Sequence, residues 1–210
     1  MDSVEEILKL APSLVIGSVP YKQETVGKLL EKPVNFLAMN PRSLADIEAD
    51  IRLLGRIVNR QALAEQLIGK MRNAFAAIRR KSSSVRNRKR KLRVYCEAWP
   101  NPRISSPPWV AELVELCGGE MVVPAGQKIS DEQVAEARPE VIVVAWAATG
   151  DQAKAEKLYG VAGWKNIPAI SNKQIHVVRD ELLNTPGPPL LAGAKQLLNI
   201  FERVAKDGRR

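Results

Sequence analysis

A helix–turn–strand pattern occurs twice in the sequence, and it constrains the fold more than any other feature. Residues 3–16 align without a gap on residues 130–143, and Ser, Glu and Pro recur in step. In each copy a serine, Ser3 or Ser130, is a candidate helix N-cap, with Glu or Gln three residues later as in a capping box. A proline then ends the helix, and a short apolar run typical of a buried strand follows. The repeat therefore predicts two related α/β lobes.

A long helical pattern lies between the two copies. Ser43 is a candidate N-cap, and apolar residues recur at helical spacing as far as residue 78. The stretch 44–80 would be about 55 Å long if unbroken, although Gly55 and Asn59 are positions where it can bend. A coiled coil is the alternative, but the apolar spacing is not a steady heptad. We interpret this stretch as one long helix that links the lobes.

These patterns predict an α/β protein with two Rossmann-like lobes joined by one long helix. The N-terminal lobe is expected to be incomplete, because far fewer residues precede the helix than follow it. The predicted parts are a partial N-terminal α/β lobe (1–42), the interlobe helix (43–80), a basic linker (81–91) and a C-terminal α/β lobe (92–210). Strands are predicted at 14–16, 34–37, 92–96, 141–144 and 174–178, and further helices at 4–10, 24–30, 109–117, 154–159 and 189–204.

The composition argues against several classes of protein. None of the apolar runs in the 210 residues approaches the ~18–20 residues that a membrane span needs. The first residues lack the basic and apolar regions of a signal peptide, so we expect none in this chain. Two cysteines are too few for a disulfide scaffold or a four-thiolate metal site, and one histidine is too few for an imidazole-rich zinc site.

We expect no catalytic residues, metal or cofactor, because the familiar phosphate-loop, nucleophile-elbow and zinc-protease motifs are missing. A cofactor-holding oxidoreductase subunit with the same bilobal fold is the enzymatic alternative. His176 is predicted to be a structural histidine on a strand. Cys96 and Cys117 are expected to be buried thiols, with a disulfide between them as the alternative.

The positive charge is concentrated in one segment. Lys and Arg number 32 against 23 Asp and Glu, a net charge of +9, and residues 79–93 hold nine basic residues and no acid. Such a run can be a solvated linker, or it can bind nucleic acid or anionic lipid headgroups. It contains no aromatic residue on which bases could stack, which favours the linker.

Aromatic residues follow three predicted strands. Tyr21, Trp99 and Trp146 each come at or after the carboxyl end of a strand, where open α/β sheets bind their ligands. The loop 180–189 follows the strand of His176, so its polar residues are expected near the same cleft. The alternatives are that each ring packs on the core of its own lobe, and that the loop is a solvated turn.

Several stretches in order along the chain resemble a known family. They are similar to the periplasmic binding proteins, with a single long interlobe helix, that serve ABC importers of cobalamin, siderophores and haem. The cobalamin-binding branch is the most similar, and the likeness extends over nearly the whole chain. Members of the family begin with a signal sequence and a further strand–helix segment, so the resemblance implies an N-terminal truncation or a misplaced start. The stretches that carry it are 4–16, Asn-Pro-Arg-Ser-Leu-Ala-Asp-Ile at 40–47, Val-Tyr-Cys-Glu-Ala-Trp-Pro at 94–100, Leu-Cys-Gly-Gly-Glu at 116–120 and 129–134.

The resemblance implies a function and a partner. The protein would bind cobalamin or a related corrinoid between its lobes and deliver it to the membrane permease of an ABC importer, in the periplasm or otherwise outside the cytoplasm. A ferric siderophore or haem is the alternative ligand. In the cobalamin binder one surface glutamate on each lobe pairs with permease arginines, and those positions match Glu5 and Glu132.

The resemblance also assigns pocket residues. An acidic pocket residue of the family matches Asp180, and a nearby arginine is replaced by Asn184. We expect Tyr21, Trp99 and Trp146 to supply rings from neighbouring positions. The family's pocket aromatics are replaced by Ser18, Ile104 and Gly126.

Overall fold

The structure, a computed structural model, describes residues 3–19, 22–87 and 90–207. The chain divides into two compact units, Met1–Pro41 and Arg42–Arg210. None of the helices within the described ranges is both long and apolar enough to cross a membrane.

The first unit is a small α/β layer. Its two strands pair in parallel, with Val15 opposite Phe36. Parallel strands need a connection that crosses over the sheet, and a helix supplies it here. The elements are α1 (Ser3–Lys9), β1 (Val15–Ser18), α2 (Gln23–Leu30) and β2 (Phe36–Met39).

The second unit is built on a five-stranded sheet. The strands are β3 (Leu92–Pro100), β4 (Arg103–Ser105), β5 (Gly119–Met121), β6 (Val141–Val144) and β7 (Ile175–Val177). They are ordered β4-β3-β6-β7, with β5 paired to the first part of β3; all pairs are parallel except β3–β4. All four residues of β6 are buried, because apolar clusters cover both faces of the sheet. The helices are α3 (Leu44–Ile57), α4 (Gln61–Lys81), α5 (Ser83–Arg86), α6 (Pro108–Leu116), α7 (Asp131–Ala137), α8 (Pro168–Ser171) and α9 (Leu190–Asp207).

Both copies of the sequence repeat form a helix, a turn and a strand. α1 leads to β1 and α7 leads to β6, as predicted. Each helix is followed by a residue in the left-handed conformation just before the proline: Ala11 (φ 46°) and Arg138 (φ 43°) are equivalent positions of the two copies. The capping box is confirmed in α7, where Ser130 and Gln133 each accept a hydrogen bond from the other's backbone N–H. The side chain of Ser3 lies outside the described structure.

The prediction of one helix over 43–80 is wrong. The stretch is helical, but it consists of α3 and α4, separated by three residues. Asn59 lies between them at φ 53°, a left-handed conformation that ends helices and that Asn tolerates better than most residues. The N–H of Arg60 bonds to the carbonyl of Gly55 at 2.6 Å, which closes the turn.

α3 and α4 form an antiparallel hairpin. Arg72 pairs with Glu48 and Arg52 pairs with Glu65, so residues late in α4 meet residues early in α3. Both helices contribute side chains to the core of the second unit. The longest helix is therefore α4, whose 21 residues span about 32 Å at about 1.5 Å per residue, rather than the predicted 55 Å.

Part of the segment predicted as a basic linker is packed on the core of the second unit. Ser82 and Val85 are fully buried, and the Ser82 hydroxyl donates to the carbonyl of Leu116 at 3.0 Å. The segment 83–86 forms α5 because its apolar residue has a place in the core. The predicted helix over 154–159 is a 3-10 helix, Ala155–Gly160. The short strands β4 and β5 were not predicted.

Candidate functional site

The carboxyl ends of β3, β6 and β7 meet at one edge of the second unit, because these strands are parallel. Backbone bonds continue beyond the strands and hold the following loops together. The N–H of Ala147 donates to the carbonyl of Ala98 at 3.1 Å, which ties the loop after β6 to the end of β3. The site residues that were predicted in this unit therefore lie on segments that backbone hydrogen bonds hold together.

Trp99 presents an open aromatic ring at this edge. It lies near the end of β3, and 42% of its surface is exposed. Its indole N–H donates to the carbonyl of Asn101 at 2.9 Å, within the β3–β4 hairpin. The other tryptophans are buried, so Trp99 is the one whose face is available to a large apolar ligand.

Trp146 lies in the core instead. Only 6% of its surface is exposed, and its indole N–H donates to a carboxylate oxygen of Glu97 at 2.8 Å. Its ligand-binding role stays a prediction that this burial disfavours. Tyr21, the third predicted ring, lies outside the described residues.

Asp180 and Asn184 are brought together with the loop that follows β6. A carboxylate oxygen of Asp180 accepts the N–H of Ala148 at 3.3 Å, and the Asn184 amide donates to the carbonyl of Ala145 at 2.7 Å. The backbone N–H of Asn184 bonds to the carbonyl of Asp180 at 2.7 Å. The side-chain oxygen of Asn184 is buried with no protein hydrogen-bond donor. Both polar residues therefore belong to the edge at which Trp99 is exposed.

A buried carboxylate that the sequence analysis missed lies beneath this edge. Glu97 is fully buried on β3, and its oxygens accept three hydrogen bonds. The donors are the hydroxyl of Tyr95 at 2.6 Å, the guanidinium of Arg103 at 2.7 Å and the indole of Trp146. Burial and then the charge of Glu97 raise the pKa of Tyr95, so this hydroxyl is a neutral donor. The available signal was an acid in the middle of a strand whose neighbouring residues are mostly apolar.

Arg103 on β4 connects this carboxylate to α7. Its Nε donates to Asp131, the first residue of α7, and its guanidinium lies 4.4 Å from the ring centroid of Trp164. The indole of Trp164 donates to the carbonyl of Asp131 at 2.9 Å. Burial by itself would lower the pKa of Arg103, but Glu97 and Asp131 raise it above its ordinary value, so the cation is retained.

The two predicted docking glutamates lie in the first turns of equivalent helices. Glu132 is exposed at the start of α7, and Glu5 is exposed at the start of α1. A hydrogen bond with the Ser130 side chain and then the backbone N–H of Glu132 itself lower the pKa of Glu132. The carboxylate at this position is therefore ionised at neutral pH.

The two cysteines and the histidine lie in surroundings that are typical of structural residues. Cys96 and Cys117 are free, buried thiols, which confirms that prediction. His176 lies on β7, half-buried, with Nε2 at 2.9 Å from the side-chain oxygen of Gln174; burial and then Arg203 lower its pKa. The described ranges contain no cluster of His, Cys, Asp and Glu side chains that could hold a metal ion.

Part of the basic run is held in ion pairs with glutamates of the second unit. These pairs reduce the positive charge that the run presents to a partner. Binding of nucleic acid or an anionic surface by residues 79–93 stays a prediction. The pairs are Arg90–Glu140 at 3.0 Å, Lys91–Glu115 at 2.9 Å and Arg93–Glu120 at 3.5 Å.

Comparison with known proteins identifies relatives of the chain. Residues 2–182 match the family model described as periplasmic binding protein. The ABC transporter substrate-binding lipoprotein YvrC of Bacillus subtilis (strain 168), itself uncharacterized, is 23% identical over 206 residues. The match covers 93% of this chain and 63% of YvrC, so the chain spans less than two thirds of that relative.

Solved structures share the fold. The periplasmic heme-binding protein RhuT from Roseiflexus sp. RS-1 superposes with a TM-score of 0.80 at 22% identity, over 97% of this chain and 80% of RhuT. The periplasmic vitamin B12-binding protein BtuF of Vibrio cholerae superposes with a TM-score of 0.70 at 20% identity, over 96% of this chain and 78% of BtuF. At these identities the likeness concerns the fold alone.

Proposed function

Because the chain belongs to the periplasmic binding protein family, we propose that it is the substrate-binding component of an ABC importer. It binds a solute outside the cytoplasm and delivers it to a membrane permease. The relation to a substrate-binding lipoprotein supports this role. It performs no catalysis itself.

The ligand that we propose is a large macrocycle, and in the first instance cobalamin or a related corrinoid. The exposed ring of Trp99 carries this proposal, because an open indole face packs on the apolar surface of such a ligand. Asp180 and Asn184 lie at the same edge, where the Asp180 carboxylate can accept hydrogen bonds from the neutral amides around a corrin ring. Haem carries two anionic propionate groups and favours a cation, whereas Asn184 stands where the resemblance implies an arginine.

Equilibrium dialysis tests the ligand. Cyanocobalamin, haem and a ferric hydroxamate are dialysed against the protein, and bound ligand is read from its visible absorbance. We expect saturable binding of cyanocobalamin. Binding of haem or the hydroxamate alone would retain the class of protein and contradict the corrinoid. Binding of none of them would contradict the proposed ligand class.

Variants locate the ligand. Trp99→Ala is expected to weaken cyanocobalamin binding about 30-fold, since truncating an aromatic hot spot costs about 2 kcal/mol and about 1.4 kcal/mol is tenfold. Trp99→Phe keeps a ring and should retain most of the affinity. Tyr159→Ala is the control, because Tyr159 is exposed to a similar extent, 44%, on another segment of the same unit. An equal loss in Tyr159→Ala would refute the placement at Trp99.

The docking role of the glutamates has its own test. Glu5→Gln and Glu132→Gln together should abolish binding to the detergent-solubilised permease, while the affinity for ligand is unchanged. Glu6→Gln with Glu136→Gln is the matched control, since both residues are exposed on the same two helices. Loss of ligand affinity in the first variant, or loss of docking in the control, would contradict the assignment.

A further inference from the structure

Two neighbouring side chains of β3 break the alternation expected of a strand. Residues two apart on a strand face the same side, yet Glu97 is fully buried while 42% of the Trp99 surface is exposed. The pairing with β4 explains the difference. Glu97 lies opposite Ser105, whereas Trp99 lies opposite Ile104, so β3 contains one extra residue, Ala98. This bulge redirects the chain and turns the Trp99 ring outward.

A buried ion pair lies beside the bulge. Glu97 precedes the extra residue on β3, and its partner Arg103 lies on β4 opposite Pro100. The N···O distance is 2.7 Å, and the Arg103 side chain is only 11% exposed. If the bulge were removed by a one-residue shift of β4 along β3, Glu97 would lie opposite Ser106, and its side chain would point to the opposite face of the hairpin from Arg103. An unpaired buried charge is strongly destabilising, so the pair penalises the slipped register.

Arg103 is itself held from the other side. Asp131 accepts its Nε, Trp164 lies against the guanidinium plane, and the backbone carbonyl of Arg103 accepts the N–H of Ile129 at 3.0 Å. The ion pair therefore joins β3, which carries Trp99, to the Arg103 guanidinium. This guanidinium is held in turn by Asp131 of α7 and by the buried ring of Trp164.

Stability alone does not account for such a pair. Two well-packed apolar side chains of similar volume commonly stabilise a protein as well as a buried ion pair does, or better. The best-supported use of a buried polar contact is to select one register among several. The position of this pair, on the two strands of the bulged hairpin, fits that use.

We propose that the Glu97–Arg103 pair locks the bulged register of the β3–β4 hairpin and thereby holds the Trp99 ring in its exposed position. Glu97 and Arg103 are then positioning residues. That the ring so held contacts a ligand rests on the proposed function, whereas the register lock does not.

The test replaces both charges at once, so that neither is left unpaired. In Glu97→Gln/Arg103→Met the expected result is a folded protein in which the hairpin is no longer held in one register. The matched control is Glu65→Gln/Arg52→Met, which makes the same two changes at an ion pair between α3 and α4.

Acrylamide quenching of Trp99 is the main readout. The Trp99 signal is obtained as the difference between each protein and its Trp99→Phe derivative. We expect its quenching constant to fall at least twofold in Glu97→Gln/Arg103→Met and to stay unchanged in the control. A pair that only stabilised the fold would alter the melting temperature and not the accessibility of Trp99. Wild-type quenching in the folded double variant would therefore overturn the proposal.

If the double variant does not fold, Arg103→Lys is measured instead. Lysine keeps a cation beside Glu97 but loses the planar contact with Trp164 and the second donor to Asp131. The register lock predicts wild-type Trp99 quenching in this variant. Altered quenching in a folded Arg103→Lys protein would contradict the lock by the charge pair.

Ligand binding is measured on the same proteins. Dialysis with cyanocobalamin should show at least a tenfold loss of affinity in Glu97→Gln/Arg103→Met, and none in the control. If the wild-type protein binds neither cyanocobalamin nor haem, the proposed ligand fails. The quenching result still decides the register lock in that case.

Discussion

Gly55→Ala distinguishes the helical hairpin from a single long helix. Gly55 is buried near the end of α3, and a Cβ at this position would lie 2.6 Å from the Cβ of Ala64 on α4. In one unbroken helix these two residues would be about 13 Å apart, at about 1.5 Å per residue. The substitution would then only improve helix propensity, which is worth about 1 kcal/mol.

The hairpin predicts the opposite sign. Carbon atoms pack best at about 3.5–4.0 Å, so α3 and α4 would have to separate by about 1 Å to accept the new methyl group. Overpacking of this kind costs about 1–3 kcal/mol, which exceeds the gain in helix propensity. We expect Gly55→Ala to lower the free energy of unfolding by about 1 kcal/mol. Gly69→Ala is the matched control, because a Cβ at Gly69 in α4 meets nothing within 4 Å and should stabilise by about 1 kcal/mol.

Urea denaturation followed by circular dichroism measures both variants. The difference of about 2 kcal/mol corresponds to about 4–8 °C in melting temperature for a chain of this size. Stabilisation by both alanines would refute the close packing of α3 on α4. Destabilisation by both would refute the propensity argument, because Gly69 has free space around it.

Two further predictions concern the core of the second unit. A Cβ at Gly193 in α9 would overlap the carbonyl of Leu182, so Gly193→Ala should destabilise by about 3 kcal/mol or more, measured by the same urea assay; a loss below about 1 kcal/mol would refute that contact. Burial raises the pKa of the Cys96 thiol, and it raises the pKa of the Cys117 thiol to about 12. Cysteine thiols in the unfolded chain ionise at a pKa of about 8.5, so above this pH both thiols are still protonated in the folded protein but ionised in the unfolded one. The resulting stability is complete below about pH 8.5 and falls above it by up to about 1.4 kcal/mol per pH unit for each thiol; urea midpoints from pH 7 to pH 10 should show this slope, and the same slope after Cys96→Ala/Cys117→Ala would contradict its origin.

Local features of the chain were predictable from sequence. The capping box of Ser130 and Gln133 involves residues three apart, so its hydrogen bonds depend only on the local helix start. The buried strand β6 follows from its unbroken apolar residues, since a strand covered on both faces has no polar positions. The helix, turn and strand of each repeat copy were predictable for the same reason, because they are formed by residues close together in the chain.

Contacts between distant residues were not predictable in this way. Helical spacing continues through α3 and α4 with nearly the same apolar period, so the sequence marked Asn59 only as a position where the helix can bend and did not predict that the chain reverses there. The reversal depends on the close approach of Gly55 to Ala64, which only the packed hairpin shows. Periodicity describes which face of a helix is buried, and it does not describe what covers that face.

The same distinction between local features and contacts of distant residues applies to the candidate site. The sequence places aromatic and polar residues after the strands, and these residues were expected at one edge because the carboxyl ends of parallel strands meet there. That Trp99 is exposed while Trp146 is buried became visible only in the folded structure. Two tryptophans in similar sequence positions differ because a bulge redirects one of them and a buried carboxylate, Glu97, binds the other. Solvent exposure is a property of the whole packed unit, and no local pattern contains it.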